Sequence, residues 1–261
     1  MDKELRDQLF SARWAVANDK KEYAYEKITE ALLRIGALNQ MVDEFEELPE
    51  EIPPEAVEIE EPEFVEVSGV KFKDRGAYRT PSGKFKGLVV HYTVSNRTAK
   101  SAVAVLRYLA NHKYRMGCMV MDEDGKIYIP KGWDPLTEWG GHAGKSSWKG
   151  DSGLSDEYAG MEICCWGKGS KVGPFRSNEG EENIIKGKYQ QFTDKQEKAL
   201  TNFILWARQV NNEFQLDLVV GHDEARADIG LKGDKSDPGA SLSLTMPKYR
   251  QFLVQKEKAL K

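Results

Sequence analysis

Four histidines occur in the 261 residues, and two of them follow apolar runs directly. His91 closes Gly87-Leu88-Val89-Val90-His91, and His222 closes Val219-Val220-Gly221-His222. Runs of this kind are buried strands, and open α/β sheets present their ligands at strand ends. Asp237 lies downstream in Lys235-Ser236-Asp237-Pro238-Gly239, a stretch whose proline and glycine make a rigid turn. Two imidazoles and one carboxylate form a catalytic zinc set that keeps a fourth position for water. A single histidine at a strand end is usually a packing residue, so only the three together point to a metal. Asp228 and Asp234 are alternative third ligands, but Asp237 alone of the three precedes a proline. His142, in Gly140-Gly141-His142-Ala143-Gly144, sits in a glycine-rich loop, and His112 reads as a surface or packing residue.

These side chains need a scaffold. Ser101 to Asn111 carries Val103, Leu106 and Leu109 at helical spacing. Gly117–Met121 and Lys126–Ile129 form a hairpin across Asp122-Glu123-Asp124-Gly125. Gly160–Cys165 is a further strand, and Gly167 to Gly187 reads as a long polar loop. Thr193-Asp194-Lys195-Gln196 has capping-box form and opens a helix reaching about Asn211. Leu216 to Gly221 is a strand, and Pro247 to Leu260 a closing helix. Strands and helices intermix, which predicts an α/β fold with a mixed central β-sheet flanked by helices.

Charge divides the chain. Residues 1–70 hold 7 basic and 19 acidic side chains, a balance of −12, whereas 71–261 hold 31 and 23, a balance of +8. Leu5, Leu9, Ala12 and Val16, then Ile28, Leu32, Ile35, Leu38, Val42 and Phe45, predict a small N-terminal helical hairpin over 1–47. Its role is packing or oligomerisation, or else wall targeting or docking to a partner that the sequence does not name. Residues 48–66 read as an acidic, proline-rich linker, because like charges repel and Pro49, Pro53, Pro54 and Pro62 block helix and sheet. The catalytic domain is then 67–261. Its basic balance suits an anionic polymer such as a bacterial wall or a nucleic acid, but no helix-turn-helix, zinc-finger or ribonucleoprotein motif supports nucleic acid. No apolar stretch approaches the ~20 residues of a membrane span. Met1–Phe10 is charged and shows no signal-peptide core. Cys118, Cys164 and Cys165 make no disulfide framework, which fits synthesis in a reducing compartment.

Together these motifs resemble the type-2 N-acetylmuramoyl-L-alanine amidases, a family spanning phage lysozyme-like amidases, anhydro-muropeptide amidases and peptidoglycan recognition proteins. His91-Tyr92-Thr93 is similar to the family's His-x-Ser/Thr, Gly221-His222-Asp223-Glu224 to its Gly-His-x-Glu/Asp, and Lys235-Ser236-Asp237-Pro238 to its Lys-x-Asp/Cys-Pro. The resemblance covers about residues 85–255 and implies zinc bound by His91, His222 and Asp237. Gly160-Met161-Glu162 resembles the strand carrying the general base, so Glu162 would take that role. The branch that uses a hairpin tyrosine would place it where Cys118 stands. Lys235 would face the substrate carbonyl, and His142, in a His-Ala-Gly loop, would contact substrate. Fifteen residues separate His222 from Asp237, and the extra length falls in a loop over Arg226–Gly233. The implied substrate is bacterial peptidoglycan, cut between N-acetylmuramic acid and L-alanine. A phage endolysin, made in host cytoplasm without a signal peptide and acting on the wall after release, fits this pattern; a virion-associated lysin and a bacterial recycling enzyme are the alternatives. A non-catalytic peptidoglycan receptor on the same fold is the rival reading, and receptors of that kind typically lose the third ligand.

Overall fold

Six strands form the central sheet, in the order β1-β4-β3-β7-β2-β10. The structure is a computed structural model and describes residues 59–73, 83–114, 116–178 and 184–260. The hairpin expected over 1–47 lies outside the described residues. In the sheet, β1 is Phe64–Val67, β2 Gly87–Tyr92, β3 Met119–Met121, β4 Ile127–Pro130, β7 Tyr158–Ile163 and β10 Val219–Gly221. Only β3 and β4 run antiparallel; the other neighbours are parallel. The expected mixed sheet is therefore present. It begins earlier than expected, because β1 occupies residues assigned to the linker. Phe64, Val65 and Val67 pair along β4, and Glu66 Oε1 accepts the Gly132 N–H at 3.1 Å. Three apolar side chains in an acidic run are enough for an edge strand.

Helices cover both faces. Helix α1, Ala99–Asn111, is capped by Thr98, whose hydroxyl accepts the Ser101 N–H. Helix α2, Asp194–Val210, opens with a complete capping box between Thr193 and Gln196. Gln196 Nε2 also donates to the Cys164 carbonyl at 3.0 Å, which fastens α2 to the end of β7. Short helix α3, His222–Ala227, follows β10, and α4, Met246–Ala259, closes the chain.

Alternation along the strands sorts the side chains. Leu88, Val90, Met119, Met121, Met161 and Ile163 enter the large core with Leu200, Phe203 and Ile204 of α2 and Leu253 of α4. Val120 packs on the other face with Ala102, Leu106 and Leu109 of α1. Val89 and Val220 pack beside Tyr158 and Ala143. The stretch expected as a loop from Gly167 to Gly187 instead carries β8, Phe175–Asn178, paired with β9, Gly187–Gln190. A further two-stranded ladder joins β5, Ser147–Trp148, to β6, Asp151–Ser152.

Candidate active site and metal centre

Register alone brings the key residues together. On parallel neighbours β7 and β2, Glu162 pairs with His91 and Gly160 with Val89. On β2 and β10, Val89 pairs with Val220, so His222 follows one alternation after Val220 on the same face. Glu162, His91 and His222 therefore emerge side by side from three adjacent strand ends, on the face away from the α2–α4 core.

Each is anchored separately. His222 is the first residue of α3. Glu224, two residues later, accepts the Gly221 N–H at 3.1 Å and is gripped by both Arg250 terminal nitrogens, at 2.7 and 2.9 Å. Asp237 reaches the site through its turn: its carbonyl accepts the Asp223 N–H at 2.8 Å, and the Tyr92 hydroxyl meets Ser236 Oγ. Tyr92 thus joins the end of β2 to the turn that carries the third expected ligand.

The three expected ligands converge. His91 Nδ1 lies 3.1 Å from His222 Nδ1 and 3.0 Å from Asp237 Oδ2, and His222 Nδ1 lies 3.0 Å from the same oxygen. All three are buried. Donors about 2.0–2.1 Å from a tetrahedral zinc lie about 3.3 Å apart, so the triangle accommodates such an ion with small adjustment. Burial pushes His91 down to about 4, so the ring is neutral at pH 7 with a lone pair to offer. Burial alone would lift Asp237, but its close contacts with His222 and His91 hold its carboxyl below the ordinary range. The alternative ligands are employed elsewhere. Asp228 Oδ2 accepts from the Ser147 hydroxyl, and Asp234 Oδ2 accepts from Arg226 Nε at 2.7 Å.

Glu162 stands next to the triad. Among the described residues its Oε2 is buried with no hydrogen-bond partner. Burial lifts its pKa well above the glutamate range; the Asp237 charge adds to this and Lys235 opposes it. Lys235 is exposed at the mouth, where it lines a groove of about 740 Å³ with His222, His142, Arg226 and Trp139. A second groove of about 460 Å³ is lined by Glu162, Thr93, Asn96, Tyr108 and Trp166. Met116 lines both.

His142 also lines the larger groove, but both ring nitrogens are engaged within the protein. Nδ1 lies 3.2 Å from His91 Nε2, and Nε2 lies 3.0 Å from the Tyr158 carbonyl oxygen. A hydrogen bond from this ring to substrate would break one of them, which leaves the ring edge for the expected contact. His112 stands apart, with Nδ1 accepting the Tyr114 N–H at 3.3 Å. The supporting residues Tyr92, Glu224 and Arg250 were not expected, nor was Ser155, whose Oγ accepts the His142 N–H at 3.0 Å. Only Glu224 carried a sequence signal, as part of the Gly-His-Asp-Glu motif.

The family profile of the N-acetylmuramoyl-L-alanine amidases matches residues 81–240. The chain belongs to that family. Its His/His/Asp zinc-site triad is intact. No curated protein matches it. Solved structures similar in chain path include the N-acetylmuramoyl-L-alanine amidase endolysin LysCS from Clostridium intestinale, 16% identical, covering 75% of this chain and 97% of that one with a TM-score of 0.44. AmpDh3 from Pseudomonas aeruginosa, in complex with an anhydromuramic pentapeptide, is 22% identical over 70% of this amidase and 66% of its own chain, with a TM-score of 0.44. Drosophila peptidoglycan recognition protein SD is 13% identical over 69% and 91%, with a TM-score of 0.43. Among the described residues, no helix of the amidase is long and apolar enough to cross a membrane.

Proposed function

We propose that the chain hydrolyses the amide bond between N-acetylmuramic acid and L-alanine in bacterial peptidoglycan, with zinc held by His91, His222 and Asp237. One observation carries this reading: three donor atoms within 3.1 Å of one another stand beside a buried, unpartnered glutamate oxygen. When bound, zinc supplies Lewis-acid polarisation of the carbonyl and a more acidic water. Glu162, one strand over from His91, takes the proton of the attacking water and returns it to the leaving amine. An Oε2 without a donor keeps its basicity for that transfer. Lys235 lies at the groove mouth, where its ammonium offsets the negative charge that grows on the carbonyl oxygen. The grooves on either side of the triad hold the glycan and peptide arms of the substrate.

The test is digestion of purified sacculi followed by mass spectrometry. New lactyl carboxylates with free L-alanine N-termini are expected; new reducing sugar ends would overturn the reading in favour of a glycosidase. We further propose that the enzyme serves as a phage lysin, made in host cytoplasm and reaching the wall after release. The basic balance of 71–261 favours an anionic wall polymer. Added to permeabilised cells it should clear them, and a protein active on soluble muropeptides but inert on sacculi would point to wall recycling instead. The division into a helical module at 1–47, an acidic linker and a catalytic domain is part of this proposal, with the linker ending before Phe64. An isolated catalytic unit that cleaves soluble muropeptides as the full chain does would support it.

A further inference from the structure

We propose that His142 is a positioning residue that sets which ring nitrogen of His91 carries the proton, through a relay starting at the Tyr158 backbone carbonyl. The proposal rests on reading His91, His222 and Asp237 as metal ligands. A carbonyl oxygen can only accept. It lies 3.0 Å from His142 Nε2, so that nitrogen carries the proton. A neutral imidazole has one N–H, which makes His142 Nδ1 an acceptor. His91 Nε2 lies 3.2 Å away and must donate to it. The single N–H of neutral His91 is thereby used on the side away from Asp237. Its Nδ1 keeps a lone pair, aimed at Asp237 Oδ2 and His222 Nδ1.

The alternative is instructive. Taken alone, His91 would do best with its proton on Nδ1, donating to the Asp237 carboxylate at 3.0 Å. That pairing satisfies both groups and leaves little for a cation to gain. It also forces a conflict further back. Either His142 turns a lone pair toward the His91 Nε2 lone pair, or it donates from Nδ1 and turns one toward the Tyr158 carbonyl. A positively charged His142 would also satisfy every partner; it differs from the relay in carrying a proton on Nδ1 as well, which nitrogen NMR detects. The relay therefore favours lone pairs pointing inward at the triad, an arrangement relieved by a cation.

The ring is held in place for this. Ser155 Oγ accepts the N–H groups of both His142 and Ala143, each at 3.0 Å. Below the ring, position 160 has no side chain. A Cβ added at Gly160 would lie 2.6 Å from His142 Cγ and 2.8 Å from Cys118 Cβ. Glycine in Gly160-Met161-Glu162 therefore opens the space from which His142 reaches His91. Partners that orient a ligating histidine and fix its tautomer typically change metal affinity by about 10–100-fold.

Two measurements decide the proposal. In the metal-free full-length chain at neutral pH, long-range proton–nitrogen NMR should show both His142 and His91 protonated at Nε2. Protonation of either at Nδ1 overturns the proposal. In zinc competition against a chelator, His142→Leu should weaken binding about 10–100-fold. His142→Asn, whose Oδ1 stands near the lost Nδ1 acceptor, should recover most of that loss. Unchanged affinity in His142→Leu, or equal losses in the two variants, overturns it. Gly160→Ala displaces the ring without removing it and should weaken zinc in the same direction, which keeps the test open if His142→Leu does not fold. A wild-type chain that takes up no zinc would defeat the metal reading alone, and the tautomers of the metal-free chain would still decide this one.

Discussion

Asp122 and Glu162 are carboxylates on neighbouring strands, and the protein treats them in opposite ways. Asp122 follows β3 at the hairpin turn and is 2% exposed. Its Oδ1 accepts the N–H groups of Asp124 and Lys126, at 3.0 and 3.1 Å, and its Oδ2 accepts the Tyr128 hydroxyl at 2.9 Å. The turn it organises closes on Gly125, whose φ of +85° favours glycine. Glu162 lies across the ladder from Val120, yet its Oε2 has no partner among the described residues. Burying a carboxylate oxygen without a donor opposes folding, so the placement of Oε2 persists for a reason other than stability. A buried acid surrounded by donors builds the fold, whereas one without them is available for chemistry.

The sharpest way to test that division is to remove the metal site on which the task proposed for Glu162 depends. His91→Ala should reduce bound zinc from about one equivalent to a small fraction, and turnover to background. Chelation of the wild-type enzyme should do the same, with activity returning when zinc is added. Elemental analysis beside a muropeptide assay measures both. Full turnover in a metal-free His91→Ala protein would break the comparison at its root, since Glu162 would have no activated water to serve.

Next in size is the contrast between the carboxylates themselves. Glu162→Gln should lower kcat by about 10²–10⁴-fold, the usual worth of a positioned general base. Zinc content should not change. The thermal midpoint should hold or rise, because an amide relieves the penalty on the unpartnered, buried carboxylate oxygen. Asp122→Ala should do the reverse. Two backbone N–H groups and a tyrosine hydroxyl lose their acceptor, which costs about 1–3 kcal/mol of stability in urea denaturation, while kcat on the folded protein stays near wild type. A Glu162→Gln enzyme with normal turnover, or an Asp122→Ala enzyme of normal stability, would show that donor count does not separate the two roles.

How much of this was legible in the sequence follows from the range of the interactions. His91, His222 and Asp237 were readable because each lies in a short motif whose strand or turn is local: an apolar run before each histidine, and a proline after the acid. The helix beginning at Asp194 was readable for the same reason, since its capping box spans only Thr193 to Gln196. The contacts from Tyr158 through His142 to His91 were not, because they depend on a parallel register between segments far apart in the chain. Likewise β1 was hidden in an acidic run: Phe64, Val65 and Val67 become a strand only when β4 offers its edge. The ladder of β8 and β9 was lost in a glycine-rich stretch whose polarity resembles a loop. Fifteen residues between His222 and Asp237 looked excessive, yet the Arg226–Asp234 pair folds the excess aside and leaves Asp237 in place.

The smallest expected effect concerns the residue opposite Glu162 in the mechanistic sense, Cys118. It occupies the hairpin position where a tyrosine would stand in the other catalytic branch that the sequence resembles. The side chain is 1% exposed and lies beside the Glu162 backbone, whose N–H it accepts. Burial, and then the Glu162 charge, push its thiol well above the ordinary range. At neutral pH it is therefore an uncharged thiol that cannot take a proton from water. Cys118→Ser keeps an acceptor for the Glu162 N–H and changes the volume slightly. Stability should fall by about 1 kcal/mol or less, since the new hydroxyl replaces a weakly polar group in a buried site but inherits its hydrogen bond. Turnover should stay within about threefold, far from the 10²–10⁴-fold that separates a working general base from a missing one. Steady-state kinetics of Cys118→Ser and Glu162→Gln, measured side by side at equal zinc occupancy, give the answer. Collapse of kcat in the serine variant alone would move the proton transfer to the β3 hairpin, and the unpartnered oxygen of Glu162 would no longer mark the base.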